Sequence, residues 1–220
     1  METSVPVTVN VDATVEGTPL RHVWSWYGYD ECNYTTSPNG RSLIRDLAAI
    51  NSEQVYLRAH HLLTSGDGTP SLKWSSTNAY AEDANGKPIY SWKILDAIMD
   101  AVVDEGALPY VEVAFMPEAL SSKPSPYIAE TFDKIGAGAS YPPKDYRKWY
   151  ELVRAWALHS KERYPDVEKR WIWELWNEPD ITYWRGSVSD YCRLYDYTEA
   201  AIHDVMPNAI VGGPDAAGGG

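Results

Sequence analysis

The ten residues Trp171–Asp180, WIWELWNEPD, hold three tryptophans and two glutamates and close on Pro179 and Asp180. Alternate residues of a strand share a face. An extended reading therefore sends Glu174, Trp176 and Glu178 one way and Trp171, Trp173 and Leu175 the other. The first set would enter the interior of a closed sheet, and the second would pack beneath helices. Pro179 has no N–H to donate and is expected to end the strand, leaving Glu178 at its C-terminal mouth.

Working outward, "KDYRKWYELVRAWALHSKERY" before this run puts Trp149, Leu152, Val153 and Trp156 at helical spacing. After it, "SVSDYCRLYDYTEAAIHDVM" opens with Ser187 and Asp190 in capping-box-like spacing and carries the stripe Tyr191, Leu194, Tyr195, Thr198 and Ile202. "AIVGGP" reads as a last strand. Upstream, "RHVWSWYGY", "QVYLRAH" and "LPYVEVAF" read as strands. "NGRSLIRDLAAIN" places Leu43, Ile44, Leu47 and Ile50 on one helical stripe. Ser91 is placed to cap a helix with Ile94, Leu95, Ile98 and Val102 on its apolar face and Gly106 past its end. Between them, about Leu62 to Tyr90, lies a long polar loop. "VPVTVNVDATV" alternates with period two and predicts an N-terminal strand or hairpin over residues 1–18, outside the main unit of residues 19–220.

Strand and helix alternate throughout, which specifies an α/β protein with a parallel sheet. Two architectures fit, an open doubly wound sheet and a (β/α)8 TIM barrel. No Gly-rich phosphate loop follows the first strand. Arg58 and His60, Phe115 and Glu178 end successive strands, as functional residues of a β/α barrel do, and this favours the barrel.

The chain has 220 residues, 10 Trp and 16 Tyr against 2 Phe, and a net charge of −12. Flat aromatic faces with polar edges suit sugars as well as large cores. The charge and the lack of a basic run exclude nucleic acid as a partner. No apolar run is long enough to cross a bilayer, and the first residues lack signal-peptide features, so a cytoplasmic protein without membrane contact is expected. Cys32 and Cys192 read as two buried thiols, with a single disulfide as the alternative. No Cys/His ligand set or phosphate loop is present, so neither a metal nor an organic cofactor is expected.

A carboxyl set among tryptophans is desolvated, which favours its protonated form, as a general acid requires. Asn177 can both donate to and accept from a sugar hydroxyl. On spacing alone Glu178 reads equally as a structural ion-pair partner of an arginine on a neighbouring strand. His60 reads as a satisfied core histidine, Phe115 as packing, His61 as structural, and Glu112 and Glu174 as interior ion pairs. Glu118, Tyr183 and Trp184 line or cap the mouth.

The run Trp-Asn-Glu-Pro resembles the acid/base signature of the clan A retaining glycoside hydrolases. With "LRAHHLL" (57–63), "YVEVAFMPEAL" (110–120), "WELWNEPDITYW" (173–184) and "IVGGPDA" (210–216), the chain is similar to glycoside hydrolase family 39, which includes β-xylosidases and α-L-iduronidases. The resemblance implies Glu178 as acid/base, with Asn177 on the sugar 2-hydroxyl and His60 as a hydroxyl ligand. It further implies Phe115 as an aromatic wall and Arg58 orienting the nucleophile, with Trp184 at the mouth and an oligosaccharide as substrate. Of the two activities, β-xylosidase fits an acidic protein better. The family's nucleophile is a glutamate on the seventh strand and has no matching position here. Asp30, Glu31 and Glu118 are the acidic residues considered as substitutes. The expectation is the N-terminal part of a barrel, ending after about the fifth strand, with open edges that invite self-association. The alternative is a carbohydrate-binding fragment without catalysis.

Overall fold

The structure, a computed structural model, describes residues 6–20, 23–70, 74–128 and 137–218. In chain order these form β1 (Trp26–Tyr29), α1 (Pro38–Ile50), β2 (Tyr56–Ala59), β3 (Tyr80–Glu82), β4 (Pro88–Tyr90), α2 (Lys93–Asp104), β5 (Leu108–Val113), α3 (Tyr146–Arg163), α4 (Val167–Arg170), β6 (Ile172–Leu175), α5 (Val188–His203) and β7 (Ile210–Gly212). Five strands make one parallel sheet in the order β1-β2-β5-β6-β7. Sequential parallel strands linked by helices are the pattern of a β/α barrel, of which this sheet is a part.

The elements follow from local chemistry. Ser37 accepts from Gly40 N and caps α1, with Pro38 at its first position. A side chain at Gly40 would lie 2.2 Å from the Tyr34 carbonyl oxygen, so glycine is required there. Asp145 caps α3 through the amides of Arg147 and Lys148. Ser187 and Asp190 form the full capping box of α5. The α3 stripe Trp149, Leu152, Val153 and Trp156 is buried as its spacing predicts, and Trp149 Nε1 donates to Thr198 Oγ1 of α5 at 2.8 Å. Trp156 meets Trp173 of β6 edge-on, 5.3 Å between rings, which fixes Trp173 on the helix side of the sheet.

Several expectations are corrected. Residues 6–18 hold no strand, and Val7, Val9, Val11 and Val15 are exposed; residues 1–5 lie outside the described residues. The alternating valines there pair with no described strand. The expected loop from Leu62 to Tyr90, of which residues 71–73 lie outside the described residues, contains the antiparallel hairpin β3–β4. Its turn is closed by Asp83 Oδ1, which accepts from the amides of Asn85 and Lys87, with Gly86 at φ +75°. Ser91 does not cap α2. Its amide donates to the Ala79 carbonyl and extends the hairpin, so the helix starts at Lys93. Only Ile44 of the α1 stripe is buried, while Leu43 is 59% and Ile50 77% exposed. That face borders an apolar groove along the outer edge of β1, lined by Tyr27, Tyr29, Leu43, Ile44, Leu47 and Leu57. Cys32 is buried and Cys192 exposed, and both are free thiols. Tyr191 and Leu194 take the packed side of α5, which leaves Cys192 outward. No helix among the described residues is long and apolar enough to cross a membrane.

Candidate active site

The inward side chains of the sheet stack in layers set by strand register. Arg58 lies opposite Tyr110, and Glu112 opposite Glu174. Arg58 Nε donates to Glu174 Oε2 at 2.5 Å, and the Tyr110 hydroxyl donates to the other oxygen at 2.9 Å. Arg58 Nη2 lies 3.0 Å from Glu112 Oε2 and 3.1 Å from Asp215 Oδ2, and donates to Asn177 Oδ1 at 3.2 Å. Arg58 Nη1 donates to His60 Nε2 at 2.9 Å. A guanidinium has no acceptor, so His60 Nε2 is the accepting atom of this bond. One guanidinium is thus shared by three carboxyl groups.

Glu112 is 0% exposed, and neither of its oxygens has a well-aligned hydrogen bond among the described residues. Burial pushes its pKa up to about 8, against the opposing pull of Arg58. Glu112 therefore keeps its proton in the fold above the pH at which it ionises in the unfolded chain. The folded state binds more protons over that interval, so this residue's contribution to stability is full below the ordinary glutamate range. It is lost as pH rises through about 8. Glu112→Gln is expected to flatten the decline in stability between those limits, read from urea midpoints at a series of pH values. An unchanged slope would refute the assignment.

The alternation predicted for Trp171–Asp180 holds through Leu175 and then breaks. β6 ends there, ahead of Pro179, because Trp176 has φ +70° and Glu178 φ +45°. His61 and Trp74 are also left-handed. Non-glycine residues in this region cost about 1–3 kcal/mol each and gather where function over-determines the backbone. Trp176 is taken up by packing. Its indole N–H donates to the Tyr183 carbonyl at 2.9 Å and its ring meets Phe115 and Trp184 edge-on. Glu178 is half-buried on the turn, and its amide donates to the Asp215 carbonyl at 2.7 Å. Asp180 accepts from the amides of Ala217 and Gly218 at 2.9 and 3.0 Å, so the segment after β7 clasps this turn.

Asn177 is 2% exposed. Because Oδ1 accepts from Arg58, Nδ2 is the other limb of the amide, and it is buried with no partner among the described residues. Arg58, His60, Asn177 and Glu178 are therefore one constellation. Two expected members are not. Phe115 is 0% exposed, stacked on Tyr183 (5.3 Å, 15°) and enclosed by His61 and Trp176, so it packs below the site. Trp184 is likewise buried, its indole donating to Ser187 O at 3.1 Å. Glu31 is buried and accepts from the Ser75 amide; Asp30 and Glu118 are exposed. The acidic residue that hydrogen-bonds the Glu178 turn is Asp215. Its signal was its place just past the C-terminal end of β7.

The profile of the glycosyl hydrolases family 39 matches residues 7–219. The chain belongs to this family. It is 35% identical over 170 residues to a beta-xylosidase of Geobacillus stearothermophilus, covering 74% of this chain and 31% of that protein. It is 36% identical over 131 residues to a beta-xylosidase of Caldicellulosiruptor saccharolyticus, covering 58% of this chain and 26% of the relative. Among solved structures, the monomeric beta-xylosidase of Caulobacter crescentus CB15 superposes with a TM-score of 0.71 at 25% identity, over 88% of this chain and 36% of that one. This family 39 chain thus spans about a third of the length of the relatives it matches, and its five strands are part of the barrel.

Proposed function

We propose that the chain supplies the acid/base half of a retaining, β-xylosidase-like glycoside hydrolase acting on short xylose-containing chains. The observation that carries the reading is the Asn177 amide, buried with one N–H limb unspent, on the same turn as Glu178. An unsatisfied buried donor is costly, and a sugar hydroxyl satisfies it. Arg58 fixes the amide orientation, His60 adds a second polar group, and Glu178 at the mouth is free to meet a glycosidic oxygen. As the C–O bond breaks, the Glu178 carboxyl gives its proton to the leaving oxygen; its carboxylate then takes a proton from the water that releases the sugar. The attacking carboxylate, which the family resemblance assigns to a seventh strand, is not among the five strands.

That last point favours a second reading, sugar binding without turnover, because a retaining mechanism needs a second carboxylate. We further infer that the sheet edges at β1 and β7 are where another chain pairs, since an open strand edge presents unpaired backbone groups. The function is tested by following xylobiose hydrolysis by proton NMR. The β-anomer of xylose as the first product is expected of a barrel that joins these five strands to a seventh-strand carboxylate. A first-formed α-anomer would refute retention, and binding without product would establish the second reading.

A further inference from the structure

We propose that Asp215 is a specificity-determining residue of this site: its carboxylate accepts hydroxyl groups of a neutral pentose and turns away sugars that carry a carboxylate. The inference rests on the sugar-site reading above.

Geometry carries it first. Arg58 Nη2 is 3.1 Å from Asp215 Oδ2 and 3.2 Å from Asn177 Oδ1, so both side chains are held on the same nitrogen. The Asp215 side chain is 49% exposed although it is anchored, which leaves an oriented carboxylate edge facing solvent at the mouth. Beside it, the buried and unpartnered Asn177 Nδ2 supplies a donor. A fixed acceptor next to a fixed donor matches the two complementary roles of a pair of adjacent sugar hydroxyls.

Charge carries it further. The guanidinium that would receive a sugar carboxylate is already engaged by Glu174, Glu112 and Asp215. Among the described residues no other Lys or Arg pairs with these three carboxylates. A uronic acid would set a further negative charge against Asp215, and the Arg58 guanidinium beside it is already engaged. At separations of several ångströms in a partly desolvated site, this repulsion corresponds to about tenfold or more in affinity.

The test compares methyl β-D-xyloside with methyl β-D-glucuronide, the same ring bearing a carboxylate at C5, by calorimetric titration of the 220-residue chain. Methyl β-D-glucoside controls for bulk at that carbon. The chain is expected to bind the xyloside at least about tenfold more tightly than the glucuronide. Asp215→Asn is expected to narrow that ratio about tenfold, mainly by a gain for the glucuronide, while the glucoside ratio stays unchanged. Should the variant fail to fold, salt decides on the unaltered chain. Raising it must narrow the glucuronide ratio and leave the glucoside ratio alone, because screening acts on charge only. A glucuronide ratio that responds to neither the substitution nor salt overturns the role of Asp215. Failure of the chain to bind any of the three sugars overturns the sugar-site reading itself.

Discussion

Replacing Arg58 with methionine is expected to destabilise the fold by about 3–5 kcal/mol, the usual cost of removing one partner from a buried charge network. The methionine keeps most of the aliphatic stem and removes the one cation that Glu112, Glu174 and Asp215 share. Glu112 can stay neutral, its pKa already pushed up to about 8 by burial. Glu174 is left as the buried anion, with the Tyr110 hydroxyl as its remaining donor among the described residues. The loss should be largest at neutral pH and shrink in acid, where the carboxylates take up protons and no longer need the guanidinium. A triple variant that also carries Glu112→Gln and Glu174→Gln should recover much of the stability, because no charge then remains buried unpaired. Urea unfolding of the three proteins at two pH values measures all of this. A single substitution costing less than about 1 kcal/mol at neutral pH would show that the network is solvated and contributes as little as a surface ion pair.

In a barrel that also holds the seventh-strand carboxylate, Glu178→Gln is expected to lower hydrolysis of xylobiose by about 10²–10⁴-fold, the ordinary contribution of a general acid. The amide has the shape of the carboxyl, and the backbone bond from residue 178 to the Asp215 carbonyl is untouched, so binding should change little. The loss should be smaller on a nitrophenyl xyloside, whose leaving group departs without protonation. Equal losses on both substrates would mean that the residue positions rather than protonates. Binding without turnover in both proteins would identify a site that holds the acid and lacks its partner carboxylate.

How much of this was readable beforehand depended on whether the chemistry is local. The strand at Tyr56–Ala59, the stripe of α3 and the Ser187–Asp190 capping box are written in residues a few positions apart, and all appear as read. So does the meeting of Arg58 with His60, which share a face two residues apart. Features that depend on distant partners were hidden. The left-handed turn at Trp176 and Glu178 is held in part by the Asp215 carbonyl, which a strand pattern cannot reveal. The family resemblance implied Phe115 as a pocket wall; in the fold Tyr183 and His61 pack against it, as its reading as packing had it. The β3–β4 hairpin lies in a stretch polar enough to read as loop, although Asn85-Gly86 in it is a hairpin turn pair. Leu43 and Ile50 repeat as a core stripe would, and no described element covers them.

Residue 215 holds the acid's backbone with its carbonyl and faces the mouth with its carboxylate. Every amino acid has a carbonyl, so the first task places no demand on which residue stands there. A lineage could change what the mouth admits by point mutation at this position and leave the bond to the Glu178 amide in place. Substrate preference would then drift faster than catalytic geometry, and two enzymes with the same acid on the same turn could part company over the charge of a single sugar.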